Sequence, residues 1–181
     1  MDRRAARRVG FLALACFLGL IPLANWMILH VGSVCPADSP CLVPVAPGLM
    51  APSGVVTVGA ALVLRDVVQR CLGAVWGLGA IGAGCLVSIL VAPGALVAAS
   101  GAAFALSELA DFAIYTPLQR RLVLAVLASA LVGLTVDSLV FLWLAFGSLQ
   151  FLAGQVVGKL WAVLVSTPFI RLLRRVAPSP A

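Results

Sequence analysis

"ALVAASGAAFALSELADFAIYTP" (95–117) reads Ala, Leu, Val, Gly and Phe from 95 to 106, Ser100 aside, before two acids interrupt it. At ~1.5 Å rise per residue the stretch is long enough to cross a hydrocarbon core of ~30 Å. Glu108 and Asp111 therefore fall where the chain should still be inside a membrane. Such groups are expensive in lipid and mark either a partner or a task.

The rest of the chain has the same character. Of 181 residues 63% are apolar and 10% charged, with a mean hydropathy of +1.17, beyond the composition of a soluble domain. Runs long enough to span recur at 9–29, 53–70, 72–92, 95–116, 122–146 and 151–173. Lipid offers no partner for backbone N–H and C=O groups, so each run predicts a helix. The period-two alternation that strands need is not read anywhere. The expectation is an all-α membrane protein: a bundle of six transmembrane helices in a single transmembrane domain over 1–181.

The net charge of +6 concerns orientation in the lipid bilayer rather than nucleic acid. Arg3, Arg4, Arg7 and Arg8 precede the first helix, Arg70 ends the second, Arg120 and Arg121 follow the fourth, and Arg171, Arg174 and Arg175 close the sixth. The alternate connections carry no Lys or Arg, so six spans put every terminal cation on one side and both termini in the cytoplasm. A nucleic-acid stripe would need aromatic and polar residues interleaved on an exposed face, which is absent. "RRAARRVGFLALACFLGL" (3–20) has signal-peptide features, but the apolar run continues to Leu29, so it reads as an uncleaved first helix. Cys35 and Cys41, in "CPADSPC", either form a disulfide in an oxidising exterior or stand as two small unpaired residues. Cys16, Cys71 and Cys85 read as buried apolar groups. With His30 the one histidine, at a membrane edge, neither a metal site nor a haem cofactor has ligands.

Packing in lipid depends on close backbone contact, and Gly73 with Gly77 and Gly154 with Gly158 supply two GxxxG spacings. "GAALVLRD" (59–66) weakly echoes "GAAFALSE" (101–108), one helical hairpin later. Whether the chain is a monomer or a homo-oligomer is left open.

Six charged residues lie within the spans: Arg65, Asp66, Glu108, Asp111, Asp137 and Lys159. Each costs ~2.5–3.5 kcal/mol at a helix centre even on a lenient insertion scale. Asp66 and Arg70, four apart, share a helical face and are expected to pair. Arg65, ~100° round the helix from Asp66, must look elsewhere, and its depth matches that of Glu108 and Asp111. Asp137 and Lys159 flank the turn "GSLQ" (147–150) at nearly equal distances, so an antiparallel hairpin brings them level. Two cations against four acids still leave an excess of negative charge, so at least one acid awaits a proton or a ligand.

Read together, "APSGVVTVGAALVLRDVVQR" (51–70), "SELADFAIYTPLQRR" (107–121), "GLTVDSLVFLWLAFG" (133–147) and "GQVVGKLW" (154–161) resemble the successive signatures of the vitamin uptake transporter family. Its better-known members are queuosine-precursor transporters. The resemblance covers most of the chain from Ala51 to Trp161, with the RD, ELAD-x-x-x-Y-T-P and VD motifs in order. It implies an inner-membrane importer of a deazapurine, 7-cyano-7-deazaguanine or its aminomethyl relative. The substrate-binding residues expected here are Glu108, Asp111, Arg65, Asp66, Asp137, Gln155 and Lys159. Phe104 and, on the fifth helix, Phe141 and Trp143 are flat partners for a purine. A guanine-like edge offers two parallel donors that one carboxylate accepts, and Glu108 is assigned this contact. Asp111 is expected to pair with Arg65 or to hold a transferable proton.

Three other readings compete. A vitamin-binding subunit would need a separate energising complex, because no GxxxxGK[ST] phosphate loop is present. A structural scaffold would tolerate neutral substitutions of the buried charges. An intramembrane enzyme would need a nucleophile with a base, but Ser107, Ser129 and Ser138 have no intramembrane histidine, so no catalytic residue is expected.

Overall fold

The computed structural model describes residues 3–36, 40–92, 94 and 97–176. Its six helices are α1 (Arg3–His30), α2 (Val55–Leu72), α3 (Ala74–Val91), α4 (Val97–Leu118), α5 (Leu122–Phe146) and α6 (Leu152–Val176). The expected spans sit within a few residues of these bounds, except that α1 already includes the N-terminal arginines. Four helices, α1, α3, α4 and α5, are long and apolar enough to cross a membrane, and α6 contains a shorter apolar stretch, Leu152–Ser166. This is an all-α, multi-pass membrane protein.

A helix with buried charge sits innermost. α2 packs against α1, α3, α5 and α6 and touches α4. Its buried residues include Arg65, Asp66 and Gln69 beside Val63, Val67 and Val68. A helix enclosed by other helices can hold charge, because its partners are side chains rather than lipid. The outer faces are apolar, with Leu12, Val75, Leu90 and Val165 all more than 60% exposed. Trp26 and Trp143 lie near the C-terminal ends of α1 and α5, and Trp76 near the start of α3, positions where amphipathic rings suit the membrane–water boundary.

One element corrects the sequence reading. The loop after α1 contains a two-stranded antiparallel hairpin, β1 (Leu42–Ala46) and β2 (Leu49–Pro52). Its turn is Pro47–Gly48, with Gly48 at φ +73°, which proline followed by glycine supplies without strain. Alternating polarity is missing because the hairpin packs on the bundle and keeps apolar residues on both faces. Pro44 is tolerated where the register shifts between Pro44 and Ala46. Cys35 and Cys41 are joined by a disulfide just before β1. The Cys41 amide donates to the Ile28 carbonyl at 2.8 Å, Ser53 Oγ to the Met27 carbonyl at 2.7 Å and Trp161 Nε1 to the Val45 carbonyl at 3.0 Å. The hairpin is thereby tied to both α1 and α6.

The GxxxG spacings divide by role. A Cβ on Gly154 would strike the Met50 carbonyl, and one on Gly158 the side chains of Val55 and Val45, so this pair seats the hairpin. Gly73, by contrast, is the α2–α3 turn, at φ +102° with open space around it.

Candidate functional site

Two polar centres lie at different depths in the bundle, and members of both line one cavity. The upper one is built on Lys159, 1% exposed, whose ammonium has three donors. They go to Asp137 Oδ2, to Ser138 Oγ at 2.8 Å and to Gln155 Oε1 at 2.8 Å. The first is the pairing that equal depth on α5 and α6 predicts. Gln155 reaches Lys159 because it lies four residues earlier on the same helical face. α2 comes close here: a Cβ on Gly59 would lie 2.5 Å from the Lys159 carbonyl oxygen.

The lower centre surrounds Arg65, fully buried between α2, α4 and α5. Its Nε donates to Glu108 Oε2 at 3.0 Å and its Nη1 to Gln69 Oε1 at 3.0 Å. Nη1 stands 2.9 Å from Asp66 Oδ1, and Nη2 2.9 Å from Asp111 Oδ2. The rings of Phe112 and Tyr115 lie 5.9 Å from the guanidinium carbon, within reach of a cation–π attraction. Gln69 passes the network on, donating through Nε2 to Thr116 Oγ1, which donates to the Phe112 carbonyl.

Asp66, for which Arg70 is the expected partner, is in contact with Arg65. Arginine is long and flexible enough to swing across to its neighbour, which a wheel of radial side chains does not allow for. Arg70 donates to the Gln119 carbonyl at 2.6 Å, joining α2 to the α4–α5 connection. The remaining polar members are not placed in these centres by the sequence reading, which names Ser129 and Ser138 only as hydroxyls without a base. Gln69, Thr116, Ser129 and Ser138 are neutral and carry no insertion penalty large enough to draw notice. Gln69, four residues after Arg65 on the same helical face, is the member whose spacing carries a signal.

Between the centres lies a cavity of about 750 Å³, its mouth included. Ile21, Asn25 and Ile28 of α1 line it, with Val55, Thr57 and Val58 of α2, Ser88 of α3 and Pro52 from the hairpin. Phe104, Ser107 and Glu108 come from α4, Asp137 and Phe141 from α5, Gln155 and Lys159 from α6. A mostly apolar cleft with a few convergent polar groups is what a small-molecule site requires. Phe104 is held against Phe17, ring centroids 5.9 Å apart, and over Gly84, where a Cβ would overlap its ring.

The expected site residues therefore divide into three groups. Glu108, Asp137, Gln155, Lys159 and Phe104 line the cavity. Arg65, Asp66 and Asp111 lie beneath it, joined to it through Glu108. Trp143 is 63% exposed on the outer face of α5 and does not line the cavity, whereas Phe141, half a turn earlier, does. Among the described residues no cluster of His, Cys, Asp and Glu could hold a metal ion.

No curated protein and no solved structure matches the chain. The family model described as "Putative vitamin uptake transporter" matches residues 55–173, which is α2 to α5 and most of α6. The match includes every charged residue of both polar centres and leaves out α1 and the hairpin. The chain belongs to the vitamin uptake transporter family.

Proposed function

We propose that this protein imports a queuosine precursor, 7-cyano-7-deazaguanine or 7-aminomethyl-7-deazaguanine, across a bacterial inner membrane for use in transfer-RNA modification. The observation that carries the reading is Glu108, a buried carboxylate on the wall of a cavity that also holds flat aromatic rings. Its Oε2 accepts from Arg65, and Oε1 receives no hydrogen bond from the described residues. Each carboxylate oxygen has two acceptor sites, so both can still meet the ring N–H and exocyclic NH2 of a guanine-like edge. Gln155 spends its oxygen on Lys159 and keeps its NH2 for the carbonyl of the same ring. Phe104 and Phe141 flank the plane. The Lys159 ammonium is consumed by three acceptors and serves to hold Gln155 and Asp137 in place.

Binding by purified protein tests the contact. Glu108→Gln should weaken a deazaguanine about tenfold or more, the equivalent of one charged hydrogen bond of ~1.5–3 kcal/mol. A deazaadenine analogue, lacking that donor pair, should be little affected. Equal weakening of both removes Glu108 from recognition. Uptake of labelled deazaguanine by cells unable to make it, with and without this protein, tests the substrate class itself.

A further inference from the structure

The acids below the cavity outnumber the positive charge available to them. Arg65 faces Asp66 on its own helix and Glu108 and Asp111 on α4, and all four side chains are at most 2% exposed. Arg70 lies one turn beyond, at the inner end of α2. Even with Arg70 counted, two cations meet three carboxylates. From α5 comes only the neutral hydroxyl of Ser129, 3.3 Å from Asp66 Oδ2. Cys85 of α3 on the side of Glu108, and Cys71 near Tyr115, add no positive charge. Asp137 is neutralised separately by Lys159.

Two groups beside Arg65 lack a well-aligned hydrogen bond. Asp111 meets Arg65 Nη2 at 2.9 Å as an ion pair, but neither of its oxygens takes a well-aligned hydrogen bond. The Tyr115 hydroxyl, one helical turn along the same face and fully buried, is also without a partner. α5 seals the pocket by backbone contact, since a Cβ on Gly133 would press to 3.0 Å from the Asp111 Cβ. A carboxylate enclosed in this way, which shares one guanidinium with two other acids, is expensive to keep ionised.

We propose that Asp111, with Asp66 across the same guanidinium, is the binding site of a transported proton, and that the proton moves inward together with the substrate. The proton site stands on the charge count and the unpartnered atoms; its coupling rests on the reading of Glu108 as the ligand's acceptor. Glu108 must be ionised to accept two donors, and the Arg65 Nε–H holds it so. A proton on Asp111 removes a competitor for Arg65 and strengthens that hold. Loading of proton and ligand therefore favour each other, by the same factor in each direction. Release of the proton to the inner side draws Arg65 back toward Asp111, and the ligand loses its acceptor.

Purified protein in liposomes provides two independent readouts. Without any ligand, infrared difference spectra between neutral and alkaline buffer should show loss of a protonated-carboxyl C=O stretch. Asp111→Asn should abolish that band, and Glu108→Gln should leave it in place. No band in the wild type, or a band that disappears only in Glu108→Gln, overturns the proton site. With labelled 7-cyano-7-deazaguanine, acid outside should drive accumulation above equilibrium, which a protonophore collapses. Asp111→Asn, or Asp66→Asn should the first variant fold poorly, should exchange ligand across the membrane without concentrating it. Accumulation indifferent to the protonophore, or retained in these variants, overturns the coupling. A normal infrared band with no deazaguanine uptake by wild type would leave the proton site standing and overturn the substrate reading.

Discussion

Arg65 has five N–H donors in one rigid plane, and four side chains, Asp66, Gln69, Glu108 and Asp111, are arranged around it. A lysine ammonium supplies the same charge but only three donors about a single point, so it cannot reach both carboxylates of α4 and still hold Gln69. Arg65→Lys is expected to reach the membrane and yet lose uptake about tenfold or more, the effect of one charged hydrogen bond of ~1.5–3 kcal/mol. Wild-type uptake in that variant would show that charge alone suffices. At this scale the sequence shows which groups come together, because Glu108 and Asp111 share a helical face and Arg65 matches their depth. It does not show who holds whom. Helical position ranks Arg70 as the partner of Asp66, whereas the reach of a flexible arginine brings in Arg65. Trp143 illustrates the same limit, since two aromatics half a turn apart are equivalent until the neighbouring helix is known.

Between elements, legibility depends on whether a feature follows from helical rise. The Asp137–Lys159 contact does: a tight turn and 1.5 Å per residue place both groups level on α5 and α6. Removing one partner leaves the other buried and unpaired, a loss of ~3–5 kcal/mol. Lys159→Met should therefore lower the unfolding temperature clearly. The double change Asp137→Asn with Lys159→Met should restore at least part of that loss, and thermal unfolding of the three proteins decides it. A double variant no better than the worse single would mean that the two residues do not act as a pair. The hairpin Leu42–Pro52 follows no such rule. Its strands are apolar on both faces because α1 and α6 support it, and only Pro47–Gly48 hints at a turn. The seat that Gly154 and Gly158 provide was legible as close packing, but its occupant was not.

For the whole molecule, enclosure and direction are linked. α2 carries Arg65, Asp66 and Arg70 because other helices surround it, and the cavity lies in the half of the bundle next to the hairpin. Two unrelated properties predict a side for each of these halves. Arg70, Arg120 and Arg121 lie at the end opposite the hairpin, as the positive-inside rule requires of a cytoplasmic face. The Cys35–Cys41 disulfide lies on the hairpin side, as an oxidising exterior allows. The cavity would then receive its ligand from outside, with the Arg65 centre between it and the cytoplasm. Single cysteines test this in a background where Cys16, Cys71 and Cys85 are alanine. Ser148→Cys, exposed in the α5–α6 turn, should react in intact cells with a membrane-impermeant maleimide. Gln119→Cys, in the α4–α5 connection, should react only after lysis. The reverse pattern would turn the molecule over, put the cavity mouth in the cytoplasm and make export the natural direction.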